Sequence, residues 1–239
     1  QTAVRELHGY APWYFGVPLR GFGRAWKPLM RADGFLAPYG LTFPEQSAPG
    51  YVLAYEGHEC QWNGPSWPYA TSVALSALRN AMQGADAAEL PVGREEFAKL
   101  LRQYAAAQIL TRADGRTVKW IDENQNPRTG DWISRTVIER TPKMKARFPR
   151  ERGKDYNHST FCDLVISGLC GLVPQLGDAL VVRPLAPASW DWWRVDGIRY
   201  HGKSLTILFD RDGTRYGRGK GLRAFLDDAE VIMERKGER

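Results

Sequence analysis

The chain has 239 residues, 43% of them hydrophobic, and a formal net charge of +6. That length supports one large or two modest domains with a packed core, and that apolar share excludes a disordered chain. The charge does not point to a nucleic-acid partner: basic residues are scattered, the densest run (Lys143 to Lys154) is broken by Pro, Phe and Met, and no zinc, helix-turn-helix or RNA-binding motif is present.

Taken in chain order, Gly21 to Met30 predicts a short helix. Leu36 to Asn63 carries little helical pattern and reads as a long loop with several Tyr and Gly. Ser66 is a candidate N-cap, with Pro68 in the first turn and Val73, Leu75, Leu78 and Met82 at helical spacing behind it. Glu95 to Leu110 predicts an amphipathic helix through Phe97, Leu100, Leu101, Tyr104 and Ala107. Arg112 to Lys154 reads as a second long loop, and loops of that length in compact domains are usually functional or disordered. His158 to Leu172 reads as a strongly apolar helix. From Ala179 on, the pattern turns to short strands: Ala179 to Val182, Ser204 to Phe209, Leu222 to Phe225 and Glu230 to Met233, with turns at Asp210-Arg211-Asp212-Gly213 and Asp227-Asp228. No stretch is apolar enough to span a membrane. Cys162 and Cys170, eight apart on a predicted helix, stand roughly 12 Å apart and cannot pair.

Three clusters carry chemistry. Cys60-Gln61-Trp62-Asn63-Gly64-Pro65-Ser66-Trp67-Pro68-Tyr69 sets tryptophans, a tyrosine and short amides around a Gly-Pro turn. Aromatic faces cover the C–H face of a sugar ring and amides bond its hydroxyls. Trp120 to Gly130 and Asp155 to Phe161 repeat the mixture. Taken alone, Glu123 is either a general base or a solvated loop glutamate. Trp67 is a sugar platform or a core plug, Glu45 a hydroxyl acceptor or a loop cap, and His158 a hydroxyl ligand or a helix-start residue bonded to main chain. Other chemistries lack support. His58-Glu59-Cys60 sets its side chains on different sides with no partner cluster, so no metal is expected. Gly217-Arg218-Gly219-Lys220-Gly221 lacks the Ser/Thr of a phosphate loop, and no nucleophile elbow is present.

In this order, the segments resemble the last third of the six-hairpin (α/α)6-toroid glycoside hydrolases. Mannosylglycerate-hydrolase-like and family 63 enzymes are the nearest in pattern, family 142 arabinofuranosidase-like proteins are also similar toward the C-terminus, and trehalases are more distant. Gly9 to Phe15 resembles a pocket-edge segment, and Gln61 to Pro68 the tryptophan-glycine-proline sugar loop. Glu123-Asn124-Gln125-Asn126-Pro127-Arg128-Thr129-Gly130 is similar to the Glu-x-Tyr-x-Pro-x-Thr-Gly loop of the general base, with Gln125 where Tyr is usual. Tyr156 to Leu172 resembles the final inner helix.

The resemblance implies a mainly α fold: the C-terminal part of an (α/α)6 toroid over 1–177, then a small antiparallel β appendage over 178–239. It implies a glycosidase that hydrolyses O-glycosyl bonds with inversion, without a cofactor or metal, on a carbohydrate substrate. Glu123 is then the base, and Gln61, Trp62, Asn63, Trp67, Glu45, Gln46, Trp13, Tyr14, Tyr156 and His158 contact substrate. The general acid of such enzymes lies well upstream of the tryptophan loop. Glu6, Asp33, Glu45, Glu56 and Glu59 are not in its expected setting, so the rest of the toroid is expected as an N-terminal partner. The resemblance favours a periplasmic or secreted setting and leaves the sugar, linkage and anomer open.

Overall fold

The computed structural model describes residues 3–112, 114–149, 151–156 and 159–232. Two compact units divide the chain, 1–161 and 162–239.

The first unit begins with a 3₁₀ helix over Leu7–Tyr10 that leads into a short helix α1 (Ala11–Tyr14), followed by a second 3₁₀ helix over Gly23–Met30. A two-residue hairpin, β1 (Leu36–Ala37) and β2 (Gly40–Leu41), leads to the long loop and then to α2 (Pro68–Gln83). Pro68 occupies the first helical position, where its missing N–H costs nothing. A residue before proline is pushed out of the helical region, and Trp67 is extended at φ −116°, ψ 123°. Trp67 rather than Ser66 is therefore the N-cap, and it caps with no side-chain bond. Ser66 is used in an antiparallel bridge to Gln125, their main chains exchanging bonds of 2.9 and 2.8 Å. Ala70, Ala74, Ala77 and Ala81 lie buried beside Leu75 and Leu78, so small residues let α2 be covered on most of its surface.

Helix α3 (Arg94–Ala106) starts where Glu96 accepts a 2.8 Å bond from the Gly93 N–H. It stops short of the predicted Leu110, because Ile109–Thr111 (β3) pairs with Thr117–Lys119 (β4) around Gly115 at φ +80°. The segment read as a loop over Arg112 to Lys154 also holds two helices, α4 (Ile133–Arg140) and α5 (Pro142–Arg147). Ile133, Val137 and Ile138 bury their side chains on α4, a stripe too short to stand out in the sequence.

In the second unit, α6 (Ser159–Asp163), whose first residues close the first unit, runs into a π-helical turn, Leu164–Leu169. The single helix predicted from His158 to Leu172 is thus shorter. Asp155 at φ +62° keeps Tyr156 in a turn before it, and Leu172–Val173 is a strand (β5) paired with Val181–Val182 (β6). A four-stranded antiparallel sheet follows in the order β10-β9-β8-β7, built from β7 (Trp192–Tyr200), β8 (Lys203–Asp210), β9 (Gly221–Leu226) and β10 (Ala229–Val231). Its tight turns use positive φ at His201-Gly202 and Asp227-Asp228, as two-residue hairpin turns require. Strand β7 escaped the sequence reading because Gly197 and a shift in pairing between Val195 and Ile198 interrupt its alternation. Leu172, Leu180, Tyr200, Leu205, Ile207 and Ala224 form its core, with Ile166 packed against them. Each fully buried Leu or Ile there contributes about 1.5–3 kcal/mol. Helices and small antiparallel sheets share the chain, so the fold is mixed where the sequence read as mainly helical. Among the described residues no helix is long and apolar enough to cross a membrane. All three cysteines are free.

Candidate active site

The segment from Trp120 to Arg135 is pinned by one buried ion pair. Asp122 is 1% exposed, and its Oδ2 accepts from Arg135 Nε (3.1 Å), Arg135 Nη2 (3.0 Å) and Trp120 Nε1 (3.1 Å). Its Oδ1 accepts from Ser134 Oγ (3.3 Å) and from the Glu123 N–H (2.9 Å). A carboxylate so occupied has no capacity left for chemistry; it fixes the backbone of the next residue. Gly153 must be glycine for the same reason, since a Cβ there would stand 2.1 Å from Asp122 Oδ1.

The amides after Glu123 close the loop on itself. Asn124 donates to the Glu59 carbonyl (2.7 Å) and accepts from the Ser134 N–H (3.1 Å). Gln125 donates to the carbonyls of Ala107 (3.1 Å) and Gly130 (2.8 Å). Asn126 accepts from the N–H groups of Arg128 and Thr129 and donates to Tyr55 Oη (2.9 Å). All three are buried, so each must find partners, and they find them mainly on backbone. Gly130 closes the turn at φ +83° with the Tyr39 ring where a side chain would go.

The tryptophan loop is held in the same manner. Gln61 donates to the carbonyls of Ala54 (2.8 Å) and His58 (3.1 Å), and Asn63 to that of Gly50 (3.3 Å). Trp67 is buried and donates from Nε1 to the Gln61 carbonyl (2.6 Å). Trp62, half-buried, stacks on it at 3.9 Å and 10°. Phe43 meets Trp62 edge-on at 4.7 Å, His8 lies 5.8 Å from it, and Tyr156 meets Trp67 at 6.3 Å. Tyr69 adds a sixth ring, 6.0 Å from His8.

Glu123, whose charge acts on Tyr156 and Cys60, is half-buried. Arg152 Nη2 lies 3.3 Å from Glu123 Oε1 and 3.5 Å from Glu59 Oε1. Burial raises the Glu123 carboxyl above the usual glutamate value; Arg152 opposes that, while Asp122 and Glu59 add to it. Burial likewise raises the Tyr156 phenol, with Glu123 contributing, and the Cys60 thiol. The arrangement is a partly desolvated carboxylate on a hydrogen-bonded loop, its proton affinity raised by burial.

The structure thus brings together Glu123, Gln61, Trp62, Asn63, Trp67 and Tyr156. Glu45 is buried in an ion pair with Arg5 at 3.1 Å, next to Phe43 in sequence. Gln46 spends its amide on the carbonyls of Ala32 (2.8 Å) and Leu36 (2.9 Å). Trp13 is drawn into a separate cluster, 5.3 Å from Trp26 and bonded to Asp86 at 3.1 Å. Tyr14 is exposed against Phe15. His158 lies outside the described residues. Sequence reasoning missed Arg152, hidden in a basic run, and Phe43 and His8, which carry no motif; Glu59, set aside there as metal ligand and as acid, is buried on Arg152. Among the described residues no group of three or more His, Cys, Asp or Glu side chains is placed to hold a metal.

Residues 1–159 match the family model described as mannosylglycerate hydrolase MGH1-like glycoside hydrolase domain, and residues 175–233 match that of the glycosyl hydrolase family 65 C-terminal domain. A solved structure described as "Sialidase" is similar at TM-score 0.77 and 38% identity over 95% of this chain, which spans 19% of that one.

Proposed function

This chain belongs to the mannosylglycerate hydrolase MGH1-like glycoside hydrolase family, and from that premise we propose that it is the C-terminal part of an inverting glycosidase with Glu123 as general base. The substrate class is an oligosaccharide or small glycoside. The first unit is read as the last part of an (α/α)6 toroid and the sheet as its appendage. The chain's short span of a similar protein, 19%, supports a longer whole.

One observation carries the reading: Glu123 is the half-buried carboxylate whose main chain is bonded to Asp122 and whose charge acts on Tyr156 and Cys60, the residues next to the Trp62–Trp67 stack. In the reaction, Glu123 takes a proton from water on the face of the sugar opposite the leaving oxygen. An acid about 6.5–9.5 Å away, contributed by the remainder of the protein, protonates that oxygen. Trp62 covers the C–H face of the ring, and Asn63, exposed beside it, bonds a hydroxyl. Gln61 shapes the loop that presents both. Glu45, Gln46, Trp13, Tyr14 and His158 remain proposed contacts of the complete pocket.

The test is hydrolysis of aryl glycosides and oligosaccharides by the longer protein, with the first-formed anomer read by proton NMR. Wild type yields the inverted anomer and Glu123→Gln loses turnover; unaltered turnover in Glu123→Gln sinks the assignment.

A second reading, sugar binding without hydrolysis, is favoured by a different observation. The carboxylates gathered around Glu123 are engaged: Asp122 accepts five bonds and Glu59 is buried on Arg152. Neither is a general acid. Tryptophan fluorescence that responds to sugars in wild type and Glu123→Gln alike, with no turnover by the longer protein, is its signature.

A further inference from the structure

We infer that Arg152 is a positioning residue for Glu123, the cation that holds this half-buried base ionised while being shared with the buried Glu59. The inference rests on the reading of Glu123 as the base and goes on to assign what sets its protonation.

The geometry starts from the Asp122–Arg135 pair. Asp122 accepts from the Glu123 N–H, and Arg135 Nη2 donates to the Arg152 carbonyl. Gly153 packs directly on the Asp122 carboxylate. One buried ion pair therefore positions the main chain of both the base and its cation, from two segments about thirty residues apart in sequence. The Arg152 guanidinium then lies 4.3 Å from the Phe148 ring centre, which fixes its plane. A single nitrogen, Nη2, faces both carboxylates, at 3.3 and 3.5 Å. The other terminal nitrogen, Nη1, is buried with no acceptor, so no further protein group draws the guanidinium away.

The groups around Glu123 set the sign. Asp122 adjoins it, Glu59, His58 and Cys60 come from the tryptophan loop, and Tyr156 and Arg152 from the segment after α5. Burial and the two carboxylates favour the protonated acid. His58 is exposed and screened. Arg152 is the near, partly desolvated charge on the opposing side. Without it, Glu123 keeps its proton to higher pH and ceases to be a base at pH values where the native protein works.

The experiment is a carbon-13 NMR titration of this chain labelled at the glutamate carboxyl, with the Glu123 resonance assigned by its loss in Glu123→Gln. Arg152→Gln is expected to raise the Glu123 midpoint by about 1 unit or more. Arg152→Lys keeps most of the native value, and Glu59→Gln lowers it. Circular dichroism checks the fold of each variant, and if Arg152→Gln does not fold, Glu59→Gln and Arg152→Lys decide. A Glu123 midpoint that moves in no folded variant overturns the inference. The titration needs no turnover, so it fails independently of the catalytic reading, which falls if Glu123→Gln leaves hydrolysis intact.

Discussion

The loops around Glu123 and the sheet of the second unit are ordered by opposite means. In the loops, Asn124, Gln125, Asn126, Gln61 and Asn63 each reach a particular carbonyl or N–H, and Asp122 saturates both carboxylate oxygens. In the sheet, β7, β8 and β9 pair through a repeating main-chain ladder, and side chains only have to alternate between core and solvent. The loop design gives atomic placement at one point, with a large penalty if one partner is lost. The sheet design spreads stability over many equivalent bonds and tolerates change wherever a residue is not in the Leu205–Ile207–Ala224 core.

The sharpest probe of that contrast is Glu123→Gln. Under the proposed role the longer protein is expected to lose about 10²–10⁴-fold in kcat, while the melting point of this chain stays within about a degree, because glutamine keeps the volume of this half-buried side chain. The pH profile adds a sign. A base must be ionised, and burial raises Glu123 above the 4.5 of a free glutamate, so kcat/KM should fall on the acid side with a midpoint above that value. An acid limb at or below 4.5 would remove burial as the governing effect.

Asp122→Ala strands a buried Arg135 and should cost about 3–5 kcal/mol in urea denaturation, read by hydrogen exchange as lost protection in the first unit with β8 and β9 unchanged. Leu205→Ala is the counterpart in the sheet, fully buried, and should cost about 2–5 kcal/mol with protection lost in β7–β9 and kept around Asn124. If each substitution melts both units equally, the contrast is wrong and the chain is one cooperative body. Gly130→Ala forces a side chain into a left-handed position and against Tyr39; about 1–3 kcal/mol is expected, measured as a lower thermal midpoint.

The sequence carried much of this plan, for identifiable reasons. Pro68 marked the start of α2 because its ring permits little else, and Phe97, Leu100, Leu101 and Tyr104 marked α3 by their spacing. Strands β8 and β9 were readable from alternation and from Asp227-Asp228 between β9 and β10. Helix α4 and strand β7 were not, one being too short for its stripe to register and the other broken by Gly197. Of the residues in the candidate site, Glu123, Trp62 and Trp67 lie in dense motifs. Arg152 did not, because a cation in a basic run looks like any other until the fold sets it between two carboxylates.

By itself the sequence determined local matters: where the backbone must turn or start a helix, which faces are apolar, and which segments concentrate aromatic and amide residues. These depend on neighbours along the chain, and short-range sterics and burial decide them. Only the tertiary structure decided that Trp67 is buried under Trp62, that Gln46 and Gln61 spend their amides on loop carbonyls, that Asp122 is a structural anchor and its neighbour Glu123 the half-buried carboxylate, and that Arg152 faces both Glu123 and Glu59. Whether a polar side chain reacts or supports depends on which distant group takes its hydrogen bonds, and that is set by packing between segments far apart in the chain.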